Sequence, residues 1–437
     1  MLKPILGLAA SAALAGVAPH RLTAQAVASE IVAIRAGRLV DVEKGEVRRD
    51  QVILVRGERV EAVQPASAKV PAGARLIDLS KYTVVPGLID CHTHLIGDLT
   101  GADVLSPLER SEAQEAFGGV RNARTTLLAG FTTVRDVGTY RAFVDVALRD
   151  AINDGTVIGP RMKVAGAYVT VSTGGGEVLG AAPDVPVPAV FRFGVANSAD
   201  EVRERVRVLL NGGADFIKII ATGAVLVRGG RPGASEFTEE QIRAAVEQAA
   251  EYGTYVAAHA HGAEGIKRAV RAGVRSIEHG SLMDDEAIAL MKEHGTWLVA
   301  DIWNGDYTDS VGREQKWPAE FLRKNEETTE AQRTGFRKAL AAGVKMAYGT
   351  DAGDYPHGLN AKQLPYMVKY GMTPMQAMQS ATINAARLMQ WEDRVGSIAP
   401  GKYADIVAVA GDGLADLRSF AKIGFVMKGG VVYKQPS

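Results

Sequence analysis

His92-Thr93-His94 closes an apolar run that begins at Pro86-Gly87-Leu88-Ile89-Asp90. Residues two apart on a strand point to the same side, so both imidazoles can face one metal ion. A pair of this kind is weak evidence by itself. Its company carries the argument: Lys218, His259, His279 and Asp351 each stand at the end of another segment that reads as a strand. The chain holds 8 histidines. His92, His94, His259 and His279 all fall at the C-terminal ends of predicted strands, where barrel enzymes build their active sites. Any one of them alone would read as a satisfied core residue. With a carboxylate and a lysine at matching heights, they read as ligands of divalent metal. Neutral imidazoles and carboxylates suit zinc.

Lys218 lies in Phe216-Ile217-Lys218-Ile219-Ile220 and shares its face with Phe216 and Ile220. Its ammonium would be costly to desolvate without a partner. Three readings stand side by side. Condensed with CO2, the amine becomes a carbamate whose oxygens can bridge two ions. It can also snorkel to solvent at the barrel rim, or remain a cation paired with Asp351. His261, two residues past His259, and His357, in Asp354-Tyr355-Pro356-His357-Gly358, are candidates for contacting a tetrahedral intermediate. A surface histidine is the alternative for each. For a carboxylate on the substrate, arginine offers two parallel hydrogen bonds. Arg228 and Arg231, in the glycine-rich loop after the Lys218 strand, are the candidates, with Tyr140 and Tyr168 as donors from neighbouring loops. Solvated loop side chains are the plainer reading of both arginines. Gly174-Gly175-Gly176 opens no helix, so it reads as a loop over the site and not as a phosphate cradle.

What must position these residues is a repeated unit: an amphipathic helix, a glycine, then a short β-branched strand. Ser198 and Glu201 form a capping-box pair ahead of Val202, Val206 and Leu209, and 215–220 follows as a strand. Thr238 and Gln241 open the next helix, Gly253 stops it, and 255–259 follows. The pattern recurs into 274–279, 297–302 and 344–350, while 84–94, 131–137 and 162–170 complete eight strands. Such alternation implies a parallel sheet, and eight units predict a (β/α)8 barrel over 86–390. An open doubly wound sheet would carry a glycine-rich phosphate turn after its first strand; none stands there. Both ends differ. Segments 27–85 and 391–437 hold short strands with turns and no barrel helices, and are expected to pair into one small β-sandwich.

Lys3, an apolar run over 5–18 and the triplet Ala24-Gln25-Ala26 make residues 1–26 read as a secretory signal, placing the mature protein in the periplasm or outside the cell. A frayed strand or an interfacial anchor is the alternative, and without a signal the protein would be cytoplasmic. The run is too short to span a bilayer. Lysines plus arginines number 50 and aspartates plus glutamates 50, a balance that recruits neither nucleic acid nor an anionic membrane. With 47% hydrophobic residues the chain can bury a large core. Cys91 is the only cysteine, so no internal disulfide forms.

Several segments in order resemble the amidohydrolase superfamily: Val85-Pro86-Gly87-Leu88-Ile89-Asp90-Cys91-His92-Thr93-His94, Gly130-Phe131-Thr132-Thr133-Val134-Arg135-Asp136, Ile277-Glu278-His279-Gly280 and Gly349-Thr350-Asp351-Ala352-Gly353. Ala381-Thr382-Ile383-Asn384-Ala385-Ala386 and the stretch 396–406 match as well, so the likeness runs from about residue 31 to the end. The chain looks most like the branch with imidazolonepropionase-like proteins and Xaa-Pro or basic-residue carboxypeptidases, and is similar to bacterial amidohydrolases that cleave ochratoxin A. The resemblance implies two divalent ions: His92, His94 and Asp351 on the buried one, His259 and His279 on the more exposed one, and a carbamylated Lys218 between them. Asp351 would then accept a proton from the water and deliver it to the leaving amine. One departure matters. Many relatives show Gly-Gly-His-Gly after strand three, and this chain has Thr173-Gly174-Gly175-Gly176-Glu177, which bears on substrate class more than on metal chemistry. The expected enzyme is a homo-oligomer that cleaves a small amide ending in an amino acid. Opening of a cyclic amide or imidazolone is the other enzymatic reading. A barrel that only binds ranks last, because all six ligand positions are present.

Overall fold

The computed structural model describes residues 30–97, 103–182 and 184–436; the expected signal segment 1–26 lies outside the described residues. The chain starts with four strands, β1 (Ile31–Asp41), β2 (Glu46–Arg56), β3 (Arg59–Pro65) and β4 (Arg75–Pro86). Next come β5 (Leu88–Thr93), β6 (Phe131–Asp136), β7 (Arg161–Val164), β8 (Tyr168–Val169) and β9 (Ile217–Ile220). β10 (Val256–Gly262), β11 (Ser276–Leu282) and β12 (Trp297–Val299) complete the middle of the chain. It ends with β13 (Ile406–Ala410), β14 (Phe425–Lys428) and β15 (Val431–Lys434).

Both ends of the chain meet in one seven-stranded sheet, ordered β15-β14-β13-β4-β1-β2-β3, with β13 antiparallel to β4. Its own core includes Ile34, Ile53, Leu79, Val84, Phe425 and Met427. The expected strand 84–94 is therefore two strands. Val84 to Pro86 belong to this sheet, and the chain crosses to the next at Gly87, whose N–H bonds to Asp405 O at 2.8 Å. A Cβ on Gly87 would lie 2.0 Å from Thr132 Oγ1, so only glycine lets the chain pass.

The parallel strands form two arcs, β5-β6-β7 and β8-β9-β10-β11-β12. The expected third strand, 162–170, is broken in its middle: β7 pairs with β6 and β8 with β9, so one stretch of chain serves both arcs. The expected eighth strand, 344–350, is not a regular strand. On one side Leu298 N donates to Lys345 O at 2.8 Å, and on the other Cys91 N donates to Tyr348 O at 2.8 Å. The Tyr348 N–H itself leaves the ladder for Ser380 O, 3.0 Å away, which interrupts regular pairing. This is a TIM-barrel-type fold with a separate β domain.

Alternation along β9 sorts its side chains. Ile217 and Ile219 pack outward with Val202, Val206, Leu209 and Ile242 of the helices. Phe216 packs inside with Val137, Ala165, Tyr255 and Ala257. Each outward isoleucine contributes roughly 1.5–3 kcal/mol by burial. Thr238 and Gln241 make the full capping box at the helix Glu239–Glu251. Ser198 caps the Glu201 N–H, but the Glu201 carboxylate turns to the Asn197 N–H at 2.6 Å, one residue before the box position. Between β12 and the eighth segment the sequence reading expected one helix; there are two, Asn304–Glu314 and Ala319–Ala342. They form one wall of the site.

Candidate metal centre and active site

The six expected ligands meet at one end of the barrel strands, around a cavity of about 120 Å³ that they all line. The His92 and His94 Nε2 atoms each lie 3.3 Å from Asp351 Oδ1. The His279 ring centroid is 4.8 Å from that of His92 and 4.6 Å from that of His259. Two clusters of donors emerge, each with its ligand atoms within 4.8 Å of one another: His92, His94 and Asp351, and His259, His261 and His279. A third, His279, Asp301 and Asp351, joins them. Gly349 brings the eighth segment this close, since a Cβ there would stand 2.8 Å from His92 Cβ.

Two of the expected ligands sit on strained backbone. His279 has φ 69° and Asp351 φ 60°, a conformation that costs non-glycine residues of order 1–3 kcal/mol and gathers at functional sites. For His279 the consequence is direct. In a regular strand Glu278 and His279 would face opposite sides; the left-handed residue lets both reach the interior. Glu278 Oε2 lies 2.9 Å from His92 Nδ1, and Asp301 Oδ1 lies 3.0 Å from His279 Nδ1. The His94 Nδ1 lies 2.9 Å from Gly138 O, with the Tyr168 hydroxyl 3.1 Å away. Occupied Nδ1 atoms leave the Nε2 lone pairs of His92 and His94 for a metal, the usual arrangement around ligating histidines.

The donor set fits divalent metal, and Lys218 shows why the fit is more than a cluster of polar groups. Three lysines are buried among the described residues: Lys163, Lys218 and Lys324. Lys163 Nζ donates to Met389 O at 2.8 Å, and Lys324 Nζ donates to Val227 O at 2.8 Å and pairs with Glu320. Lys218, 2% exposed, makes no hydrogen bond or ion pair among the described residues. Burial lowers its pKa to about 8, against the attraction of Glu278 and Asp351. Of its three sequence readings, snorkelling to solvent does not describe a buried side chain, and no Asp351 ion pair forms.

Charge near Asp351 is shared. Burial pushes both Asp351 and Asp354 upward, but the histidines hold Asp351 well below the usual carboxylate range, while Asp354, facing Asp351, is raised well above it. Asn304 Nδ2 donates toward both, at 3.4 and 3.2 Å. Burial, with His279 alongside, takes His261 down to about 3. Its Nδ1 lies 2.8 Å from Ser281 Oγ.

Of the other expected residues, His261, Tyr140 and Tyr168 line the cavity. His357 does not: its Nε2 lies 3.1 Å from the His94 carbonyl and its Nδ1 3.3 Å from Thr126 Oγ1. Arg228 and Arg231 are exposed and outside the lining. Sequence reasoning missed Asp301, Glu278 and Asn304. Asp301 stands one residue before the end of the predicted strand 297–302, so a search for ligand types near strand ends would have selected it. Glu278 stood inside a quoted motif without a role.

Residues 83–433 match the family model described as the amidohydrolase family. The chain belongs to this family. Amidohydrolases are generally metal-dependent, and the clusters above are where metal would bind. The chain is 31% identical to the ochratoxinase of Aspergillus niger over 434 residues, covering 93% of this chain and 88% of that protein. Among solved structures it is similar to a Xaa-Pro dipeptidase with methionine bound in the active site, at TM-score 0.86 and 38% identity over 93% of this chain and 100% of the other. It also resembles a prolidase complexed with N-methylphosphonate-L-proline, at TM-score 0.86 and 31% identity over 93% and 100%. The protein is thus a hydrolytic enzyme of this family.

Proposed function

We propose that this amidohydrolase is binuclear and cleaves the amide bond to a C-terminal amino acid, in a dipeptide, an N-acyl amino acid or an ochratoxin A-like amide. The observation that carries the reading is Lys218, a buried amine without a hydrogen bond or ion pair among the described residues, lining the same cavity as both histidine clusters. The relatives named for ochratoxin and for Xaa-Pro dipeptides support the substrate class. His92, His94 and Asp351 would hold one ion and His259 and His279 the other, with a Lys218 carbamate between them. In its neutral form the Lys218 amine would add to CO2: the nitrogen lone pair makes the N–C bond, one C=O pair moves onto oxygen and the displaced N–H proton leaves to solvent, so a buried amine becomes a carbamate anion able to serve as a ligand. Bound divalent ions, zinc on this donor set, supply an acidified water and a polarised carbonyl.

The protein's own groups do the rest. Asp351 accepts the proton of the attacking water and hands it to the leaving nitrogen. Burial and the facing Asp351 raise the Asp354 carboxyl well above the usual carboxylate range while the histidines lower Asp351, and Asn304 donates to Asp351, so the negative charge is favoured on Asp351. His261 Nδ1 lies 2.8 Å from the Ser281 hydroxyl; with that hydroxyl donating, a neutral His261 lining the cavity would offer its Nε2–H to developing negative charge. Tyr140 and Tyr168 wall the same space. We read the two arcs and segment 344–350 as one closed (β/α)8 barrel, and the terminal sheet as a sandwich folded around its own core.

The test is a screen of metal-reconstituted protein against dipeptides and N-acyl amino acids. Release of a free amino acid with close to two ions per chain is expected. Ring opening of a cyclic amide with no amino-acid release would replace this reading, and full metal content with no turnover on either class would overturn it.

A further inference from the structure

The quoted motifs around Arg135 and Glu278 carry two charged residues that the mechanism leaves unused. Both are 0% exposed, and they meet inside the barrel. Arg135 on β6 spans the interior: Nε donates to Cys91 O at 2.7 Å, Nη1 to Ser276 Oγ at 3.0 Å, and Nη2 to Glu278 Oε1 at 2.7 Å. Its guanidinium also lies over the Phe216 ring, 5.4 Å from the centroid. Ser276 Oγ donates to the same Glu278 Oε1 at 2.5 Å, which leaves Oε2 for His92 Nδ1 at 2.9 Å. Every oxygen of Glu278 is thus engaged, and the Cys91 contact grips the residue next to His92. A buried charge pair is weak evidence for stability, since its desolvation cost rivals its attraction. Something else accounts for so complete an arrangement one bond from a ligand.

We propose that Glu278 and Arg135 are positioning residues of the metal centre: Glu278, gripped by Arg135 and Ser276, fixes the His92 ring so that Nε2 faces the metal together with His94 and Asp351. This rests on the metal-centre reading above. Acceptors on the far nitrogen of a ligating histidine set its orientation and basicity, and their loss lowers metal affinity by about 10–100-fold. Ser276, Arg135 and the Cys91 carbonyl belong to three different strands, so the clamp also ties the His92 strand to β11 across the barrel.

Three variants separate positioning from simple folding. Glu278→Asp keeps the charge for Arg135 but withdraws the carboxylate from His92. Ser276→Ala removes one donor with little change in charge or volume. The double variant Arg135→Met with Glu278→Gln removes both charges together, so no ion is left buried and unpaired. Zinc affinity is measured by chelator competition, alongside the melting temperature of the metal-free protein. Glu278→Asp and the double variant are expected to bind one ion about 10–100-fold more weakly, whatever happens to the metal-free melting temperature, while Ser276→Ala shows a smaller loss of the same kind. If any of the Glu278 variants that folds holds both ions with wild-type affinity, the proposal falls and the pair is a folding element. If neither folds, Ser276→Ala decides, unchanged affinity there counting against the clamp. A wild-type protein that binds no divalent ion would sink the metal reading itself, a different outcome from failure of the clamp.

Discussion

His92 and His279 each carry a carboxylate on Nδ1, and the two carboxylates are held in different ways. Glu278 is balanced by a full guanidinium charge and a hydroxyl, all buried. Asp301 is held by amides: Gln332 Nε2 at 2.7 Å and Asn304 Nδ2 at 3.4 Å. The difference shows in protonation. Burial, helped by Lys218, lowers the His92 pKa, while at His279 burial pulls down but Asp301 outweighs it and the net direction is up. Arg135 already compensates Glu278, so little field is left to protonate His92. Asp301 has no cation of its own and draws on His279. The surroundings therefore favour the neutral imidazole at His92 and the protonated one at His279.

Asp351 joins the halves, with Oδ1 on His92 and His94 and Oδ2 4.0 Å from His279 Nδ1. Its removal should therefore produce the largest effect. Asp351→Asn is expected to keep the fold by circular dichroism and to lose at least ~10²–10⁴-fold in kcat, the scale of a general base. Near-normal turnover with intact metal would assign the proton to another group. Lys218→Ala should come next, reducing two ions per chain to one by elemental analysis; one ion in both proteins would remove the bridge. Asp301→Asn sharpens the comparison. With amide partners that tolerate a neutral side chain, it should weaken metal on the His279 side by ~10-fold while costing the metal-free protein little stability. A collapse in melting temperature would show that the two carboxylates are held alike.

The legible part of this molecule was the part with a period. Residue types at strand ends gave the barrel mouth and the six candidate ligands that line one cavity there, because alternation of two is a rule about backbone. What escaped broke the period or depended on distant chain. His279 leaves strand geometry, so Glu278 and His279 share an interior that alternation assigns to only one of them. Arg135 and Glu278 are 143 positions apart, and nothing local pairs them. The eighth strand read as regular from its composition, yet the Tyr348 amide is taken by Ser380. Arg228 and Arg231 were chosen for charge and loop position, which say nothing of where a side chain ends.

Those arginines bear on the substrate. Among the described residues no arginine lines the cavity, so Arg228→Ala and Arg231→Ala are expected to leave kcat/KM near wild type, and a clear loss would bring the loop back into the site. An amide-capped substrate should still fall by ~10-fold or more in kcat/KM if its carboxylate is held by a charge-assisted bond worth ~1.5–3 kcal/mol. Equal rates on acid and amide would favour the cyclic-amide chemistry.

The smallest effect lies on the wall away from the candidate ligands, where the Glu236 carboxylate has no ion pair among the described residues. Glu236 accepts the Gly175 N–H on both oxygens, at 2.9 and 3.1 Å, and Gly175 lines the cavity. Burial pushes Glu236 from an ordinary 4.5 up to about 7, and the Gly175 bond offsets only part of this. Because the folded state holds this proton more tightly than the unfolded chain, folding takes up a proton between these two values. Stability from this residue is therefore greatest at low pH and falls as pH rises from about 4.5 to about 7, then levels off. Glu236→Gln keeps an oxygen for the Gly175 N–H and removes the titration. Its melting temperature relative to wild type should rise steadily from about pH 5 to about pH 8, the gain appearing only where wild-type Glu236 must ionise inside the wall. A difference between the two proteins that does not change with pH would mean that Glu236 ionises as freely folded as unfolded, and that this wall, unlike the two halves of the metal centre, carries no electrostatic strain.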